Sequence, residues 1–449
     1  MRKFTGVLLA LSLLSGQVYG ATDATTGAAT GAATGAATGA ATDIVADDDW
    51  GDDRWTEETA GSVWTGFIES AAGARLNDDP ALAEELTLAD LRLRLETTGY
   101  HGDNRYGLKA DLYADGVSDG LSLDLREASY SFSVRQSWDF KLGQQVLTWG
   151  TGDLLFLNDM FPKDWQSFFS GRDTEYLKAP VAAIKGSYYG KQASIDLVWM
   201  PKFTPDRYID GERFSYFSPL AGRNIAAPEG KIDPDRPDSL SDSELALRIF
   251  GSVSNTEWAV YGYRGFQKQP NALDSQGRPA FTRLDVLGAS IRGNLGRGLA
   301  NAELALHMAA DDVGSDPLTP NDQLRFLLGY EQELLPRLTL GLQYYLEQTL
   351  DYAELKRASG SQFEPDEYRH LYTTRLRYRM WQDNLILSLF AYYSPSDQDH
   401  FIRPLVSYRF DDNLSMALGA NIFSGDQPHT FFGQFEDATN IYARLRYAF

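Results

Sequence analysis

The end of the chain constrains the fold most, because its last residues alternate in character and stop on an aromatic side chain. Ile441, Leu445 and Phe449 share one parity. Arg444 and Arg446 occupy the other. Successive side chains of a β-strand point to opposite faces, so this segment has one apolar face and one charged face. Such a strand fits a wall with lipid on one side and water on the other, or the last strand of a soluble sandwich.

The same pattern recurs along most of the chain. From residue 61 onward, alternating runs of about ten residues are separated by turn-forming residues, which predicts about 18 strands. The runs cover residues 63–71, 88–96, 106–114, 121–132, 138–149, 182–189, 194–200, 244–250, 258–266, 284–295, 302–309, 324–334, 338–347, 369–380, 385–393, 403–410, 414–423 and the terminal segment. Segment 121–132 changes parity near Arg126, which predicts a β-bulge or a misplaced boundary.

The connections between these runs alternate in length. Short ones are 189–191, 252–256, 294–298, 335–337, 381–384 and 411–413, and long ones are 151–179, 202–241, 267–282, 311–322, 351–368 and 425–437. Only connection 394–399 is unusually short for its place. Short periplasmic turns and long extracellular loops are typical of outer-membrane barrels, whereas a sandwich has no reason to keep two loop classes. The sequence therefore predicts an all-β fold, an antiparallel transmembrane β-barrel over residues 61–449.

The N-terminus predicts export. Residues 1–20 have a basic start, a short apolar core and a small-residue cleavage pattern, as in a signal peptide. Residues 21–60 form a low-complexity acidic tether in the periplasm, either a plain spacer or a docking segment for a periplasmic partner. The aromatic content of 13% fits the aromatic girdles of a barrel, and the chain has no Cys. A net charge of −21 argues against nucleic acid as a partner.

Parity also predicts which charged residues face the lumen, opposite the apolar face of each strand. The predicted solute path comprises Arg92, Arg94, Lys141, Arg248, Arg264, Arg325, Arg375, Arg377, Arg379, Arg403, Arg409, Arg444 and Arg446. Predicted lumenal acids are fewer, namely Glu96, Asp111, Asp196, Glu244, Glu303, Glu331, Glu333 and Glu347. Rings of Arg or Lys favour anions in a pore. Two interpretations stay open: an anion-selective passage, or cross-strand pairs that only hydrate the interior.

Closing the barrel has a consequence for four of these arginines. If the terminal strand pairs with the first strand, Arg444 and Arg446 lie one strand away from Arg92 and Arg94. The four residues would then form one basic stripe along the inner wall.

One long connection is too apolar for an exposed loop. Segment 151–179 contains Phe156, Phe161, Trp165, Phe168 and Phe169. Apolar surface left in water costs about 25 cal/mol per Å². We expect this loop to fold into the lumen as a constriction loop, although it could instead dip outward into lipopolysaccharide or form a receptor surface. Loop 202–241, rich in Pro and charge, is expected to cap the mouth.

Segment 141–150, Lys-Leu-Gly-Gln-Gln-Val-Leu-Thr-Trp-Gly, and the ending at residues 435–449 resemble the corresponding strands of the alginate-export family and allied large outer-membrane porins. The final Phe449 also resembles the signal by which outer-membrane barrels reach their assembly machinery. The resemblance implies passive transit of an anionic small molecule or polysaccharide across the bacterial outer membrane, in contact with its lipid and lipopolysaccharide.

Two other classes of function remain as alternatives. A surface adhesin or receptor would use the long loops. A membrane-embedded hydrolase would need a placed nucleophile and base, and the five histidines match no such pattern and no metal-ligand spacing. We expect no enzymatic activity, no cofactor and no metal.

Overall fold

The computed structural model describes residues 63–449, except residues 275, 277, 310–313, 315, 317–318 and 360–365. The predicted signal peptide (1–20) and tether (21–60) lie outside the described residues. Among the described residues, no helix is long and apolar enough to span a membrane.

Eighteen antiparallel strands form one continuous sheet. They are β1 (Val63–Arg75), β2 (Leu86–His101), β3 (Asn104–Asp115), β4 (Gly120–Val134), β5 (Trp138–Val146), β6 (Pro180–Tyr189), β7 (Ser194–Met200), β10 (Glu244–Val253), β11 (Thr256–Phe266), β14 (Arg283–Leu295), β15 (Gly298–Ala309), β16 (Gln323–Leu335), β17 (Leu338–Thr349), β18 (Tyr368–Met380), β19 (Leu385–Ser394), β20 (Asp399–Arg409), β21 (Leu414–Gly425) and β22 (Asn440–Ala448). Each predicted run coincides with one of these strands, although β5 ends at Val146 and residues 147–149 belong to the following loop.

Shorter elements lie in the connections. They are two hairpins, β8 (Tyr216–Ser218) with β9 (Arg223–Ile225) and β12 (Ala272–Leu273) with β13 (Pro279–Ala280), the helices α1 (Trp165–Ser170) and α2 (Tyr352–Ser359), and the 3-10 segments Thr174–Leu177, Leu240–Asp242 and Gly433–Ala438.

The sheet closes on itself because β1 pairs with both β2 and β22. Ser70 lies opposite Leu91 on one side and Leu445 on the other. The Phe449 N–H donates to the Gly66 carbonyl at 2.9 Å, and the Gly66 N–H donates back to the Phe449 carbonyl at 2.9 Å. The predicted pairing of the terminal strand with the first strand is confirmed, and closure pairs both edge strands of the 18-stranded sheet with each other.

The parity change near Arg126 is a β-bulge. Lys109 lies opposite Glu127, whereas its neighbour Ala110 lies opposite Leu125, so Arg126 is the extra residue. A bulge turns two consecutive side chains toward one face. Arg126 and Glu127 consequently both lie on the inner side of the wall.

The two ends of the barrel carry connections of different length. One end carries turns of two to four residues, at 102–103, 135–137, 190–193, 254–255, 296–297, 336–337, 381–384 and 410–413. The other end carries the loops 76–85, 116–119, 147–179, 201–243, 267–282, 310–322, 350–367, 395–398 and 426–439. The predicted alternation is present, with two short exceptions, 116–119 and 395–398, where the sequence predicted only the second.

The apolar core lies inside the barrel, between the wall and a loop. Many outward side chains of the strands are exposed and apolar, such as Leu91 and Leu287, 52% and 59% exposed, as expected for a surface against lipid. The buried apolar cluster combines inward side chains, such as Phe401 and Phe423, with residues of loop 147–179.

Candidate functional site: the barrel interior

The four arginines of the predicted stripe share one wall, but carboxylates lie between them. Glu69 of β1 faces both Arg92 and Arg446 in register. Arg446 donates from Nε to Glu69 Oε2 at 2.9 Å. On the other flank, Arg94 Nε lies 2.7 Å from Asp111 Oδ1 and Arg92 Nη1 lies 2.8 Å from Asp111 Oδ2. The wall is thus a ladder of alternating charge, and the prediction that the four arginines form one basic stripe is wrong.

Lumenal cations on the other strands also have acidic neighbours. Lys141 Nζ lies 2.9 Å from Glu127 and Arg325 Nε lies 3.2 Å from Glu347. Arg248 Nη1 lies 4.0 Å from Asp196. Side-chain pairs of opposite charge on neighbouring strands stabilise the sheet as well as hydrating the lumen. Cross-strand pairing, one of the two interpretations left open by the sequence, therefore describes these residues.

Arg264 lies on the outer face, and its predicted inward placement is wrong. Tyr261 and Tyr263, of the opposite parity on β11, are buried, whereas the Arg264 side chain is 76% exposed. Its guanidinium pairs with Asp285 at 2.8 Å near the long-loop end of the barrel. Aromatic residues occur on both faces of β11, with Tyr261 and Tyr263 inside and Trp258 outside, so parity alone does not separate lipid from lumen there.

Four predicted path residues lie toward the short-turn end of β18 and β20. Arg375, Arg377 and Arg379 follow one inner row of β18, and Arg409 ends β20. The side chains of Arg375 and Arg379 are 22% and 35% exposed. Arg409 donates to the Asn384 side chain at 3.2 Å. These cations therefore reach the water of the lumen.

Loop 147–179 enters the barrel along β15 to β19. The Glu303 carboxylate accepts hydrogen bonds from Gly152 N at 2.7 Å and from Asn158 Nδ2 at 2.7 Å. Asp153 is bound by Arg375, whose Nη2 lies 2.7 Å from Oδ1. Because these partners lie on inner faces of the wall, the first half of the loop is fixed inside the lumen.

The middle of the loop packs its aromatic residues against the far wall. Helix α1 begins where the Asp164 side chain accepts from Ser167 N at 2.7 Å and ends at Gly171, whose φ of 91° suits a left-handed C-cap. Phe168 lies 5.8 Å from Phe401 between ring centroids. Of the predicted constriction residues, Phe161, Phe168 and Phe169 are buried, and Phe156 and Trp165 are partly buried against the same cluster.

The end of the loop reaches the charged wall. Arg172 Nε lies 2.6 Å from Asp90, and Asp173 lies 2.8 Å from Arg444. Tyr176 donates its hydroxyl to Asp111 Oδ2 at 2.7 Å, and the Arg92 guanidinium lies 4.3 Å from the centre of its ring. Arg403, the remaining path residue, donates to the Arg172 carbonyl at 3.2 Å. The loop thus crosses the interior from β15 to β3.

Loop 201–243 extends across the long-loop end of the barrel. Arg213 donates to the Thr87 carbonyl at 2.7 Å, and Ser215 donates to Asp79 at 2.8 Å. Phe217 N donates to the Gln434 side chain at 3.2 Å. Asp79 follows β1, Thr87 lies at the start of β2 and Gln434 precedes β22. All three are several strands from where loop 201–243 starts, so this loop lies over the mouth.

The sequence did not identify several carboxylates that bind lumenal arginines. Glu69 has the inward parity of β1, but the Gly, Ala and Ser residues of that strand weaken the apolar alternation that would show which face is inward. Asp153, Asp173 and Glu175 belong to a loop, where no periodicity predicts which side chains meet the wall.

The chain matches no family model and no curated protein. Among solved structures it resembles Acinetobacter baumannii OccAB4, with a TM-score of 0.53, 10% identity and coverage of 86% of this chain and 98% of that one. Pseudomonas aeruginosa OccK11 has a TM-score of 0.50, 12% identity and coverage of 86% and 95%. The outer-membrane channel DcaP of A. baumannii has a TM-score of 0.43, 12% identity and coverage of 88% and 99%.

At these identities the likeness shows the fold alone. The chain is an 18-stranded closed antiparallel β-barrel. The resemblance to the alginate-export family stays a prediction from the sequence.

Proposed function

We propose that the protein is an outer-membrane channel that passes small anionic solutes by passive diffusion. The observation that carries this proposal is the partly exposed row of Arg375, Arg377 and Arg379 inside a closed barrel, with Arg409 two strands away. Arginine stays charged at any physiological pH, and its planar fork binds carboxylate and phosphate in a bidentate manner. Cations along a lumen raise the local concentration of anions.

The interior supports a small solute over an anionic polysaccharide. Loop 147–179 crosses the lumen and buries Phe161, Phe168 and Phe169 there. A polymer chain would need a wide continuous passage, whereas a small anion needs only a gap beside the loop. Alginate or another acidic polymer is therefore the less favoured substrate of the two that the sequence suggested.

Ion selectivity of the purified barrel in planar lipid bilayers tests the proposal. In a salt gradient, we expect a reversal potential on the anion side, and we expect Arg377→Gln combined with Arg379→Gln to shift it toward cations. Arg264→Gln is the matched control, because Arg264 lies on the outer face and should leave the reversal potential unchanged. A folded wild-type barrel that conducts no ions, or one that prefers cations, would refute the proposal.

A surface receptor is the second candidate, and one observation favours it. Loop 201–243 bridges the mouth through Ser215 and Phe217, which bind Asp79 and Gln434. A covered mouth suits a barrel that displays its loops and conducts nothing. Absence of ion current in planar bilayers, with heat-modifiable migration on gels retained, would favour the receptor over the channel.

Catalysis is not part of the proposal. His307 is buried with Nε2 2.9 Å from the Leu157 carbonyl, so it holds the loop. His370 lies on the outer face, with Nδ1 2.9 Å from the Tyr344 hydroxyl. Each histidine therefore holds neighbouring parts of the barrel together.

We further propose that residues 1–20 are removed on export, that residues 21–60 remain in the periplasm, and that Phe449 is read by the assembly machinery. The exposed Phe449 side chain at the seam with β1 is consistent with such a role. Fractionation with the outer membrane, and protease cleavage of intact cells within 201–243 but not at 190–193, test this orientation. Cleavage of intact cells at 190–193 would show that the barrel has the opposite orientation in the membrane.

A further inference from the structure

A cavity of about 200 Å³ lies against the inner wall of β19 to β22. Its cationic and polar lining comprises Arg409, Arg444, Arg446, Ser407, Ser415 and Asn384. Hydroxyl and amide groups beside guanidinium groups are the usual partners of an oxyanion. The cavity is smaller than the roughly 300–1,000 Å³ typical of sites for drug-sized ligands. It suits a small organic anion.

Two carboxylates bind the same pair of arginines at the edge of this cavity. Glu69 belongs to strand β1, and its side chain is 4% exposed beside Arg446, 2.9 Å away. Asp173 belongs to loop 147–179 and is 33% exposed, 2.8 Å from Arg444 and 3.4 Å from Arg446. Glu69 is therefore a fixed part of the wall, whereas Asp173 is a carboxylate that the loop delivers and water reaches.

The arginine pair has a donor left over. Arg444 Nε is buried and has no hydrogen-bond partner among the described residues. Leaving a buried donor without a partner is unfavourable. An oxyanion in the place of Asp173 could bind this guanidinium through a different edge.

We propose that this cavity is a binding subsite for small carboxylate-bearing solutes and that Asp173 occupies part of it as an internal carboxylate. The inference rests on the proposed function, and it names the class of solute and the residue that competes with it. The lining is balanced in charge, with Arg409, Arg444 and Arg446 against three acids, Glu69, Asp173 and Asp383. Neutralising Asp173 leaves three cations against two acids, so an anionic solute should bind more tightly.

Block of single-channel current by succinate tests the proposal in the full-length protein. We expect Asp173→Asn to lower the succinate concentration for half-maximal block about fivefold, the effect of one unit charge about 4 Å away in a watery site. Asp426→Asn is the matched control, because Asp426 is an exposed loop carboxylate away from the cavity. Adding Arg446→Gln to Asp173→Asn should cancel the gain.

The outcomes separate this proposal from the general one. A wild-type barrel without ion current contradicts the channel itself. A conducting, anion-preferring wild type whose Asp173→Asn variant shows unchanged succinate block overturns only the subsite. If Asp173→Asn does not assemble, Arg409→Gln serves instead, because Arg409 ends its strand at the surface of the cavity. Arg409→Gln should raise the half-blocking concentration about fivefold, and an unchanged value would overturn the subsite.

Discussion

Arginines on the inner surface of the barrel are buried and paired on one part of the wall and partly exposed on another. On the packed wall, formed by the inner faces of β22 and β1 to β4, Arg92 and Arg94 are 2% and 3% exposed and bound to Asp111. On the open wall, formed by the short-turn half of β18 to β20, Arg379 is 35% exposed and Asp383 lies 3.9 Å away. In the sequence, the arginines of both walls alternate with apolar residues in the same way.

The difference comes from loop 147–179. Its residues 172–177 lie on the packed wall, where Tyr176 covers three guanidinium groups and Glu175 binds Arg94 at 2.6 Å. The same loop meets the open wall at its beginning, through Asp153 and Arg375. The loop therefore decides how far an arginine of the barrel wall is exposed to the lumen.

Removing the loop should have the largest effect, because it erases the difference between the two walls. Replacement of residues 153–172 by a short Gly-Ser linker removes the aromatic residues that cross the lumen, among them Phe161, Phe168 and Phe169. We expect single-channel conductance to rise several-fold in a barrel that still assembles. Shortening loop 267–282 is the control and should leave conductance near the wild-type value. Unchanged conductance after the first replacement would show that the loop does not set the pore width.

Neutralising one charged residue should destabilise the protein more on the packed wall than on the open wall. Asp111 is fully buried between Arg92, Arg94 and Tyr176, so Asp111→Asn leaves two buried cations underpaired. Breaking a buried ion pair costs about 3–5 kcal/mol of unfolding free energy. Arg379→Gln on the open wall should cost less than about 1 kcal/mol, since an exposed pair contributes little. Urea unfolding in detergent measures both. Equal losses would mean that the two walls do not differ energetically.

The fold could be predicted from the sequence because lipid and water impose a period of two on every strand. The pairing of β22 with β1 and the bulge at Arg126 followed from the same pattern. Only part of the candidate site could be predicted. Parity identified the arginines of both walls. Asp173 and Glu175, which pair with arginines of the packed wall, lie in a loop without periodicity. Arg264 was misplaced because both faces of β11 carry aromatic residues.

The smallest effect is expected from pH, and it tests how firmly the loop is held to the packed wall. Burial alone would raise the pKa of the Asp173 carboxyl, but Arg444 and Arg446 outweigh burial and lower the pKa below its ordinary value. A carboxyl with a lowered pKa stabilises the folded state above its ordinary pKa, and that contribution is lost only as pH falls through the lowered value.

The Asp173 contacts should therefore persist at the ordinary aspartate pKa of about 4. Other lumenal acids also titrate, so the informative quantity is the difference in conductance between the wild type and Asp173→Asn. We expect this difference to stay constant from neutral pH down to about pH 4.5, because Asp173 remains ionised throughout that window. A difference that shrinks to zero by about pH 5 would mean that Asp173 takes up a proton there, and that the loop is bound to Arg444 and Arg446 more weakly than the geometry of the packed wall implies.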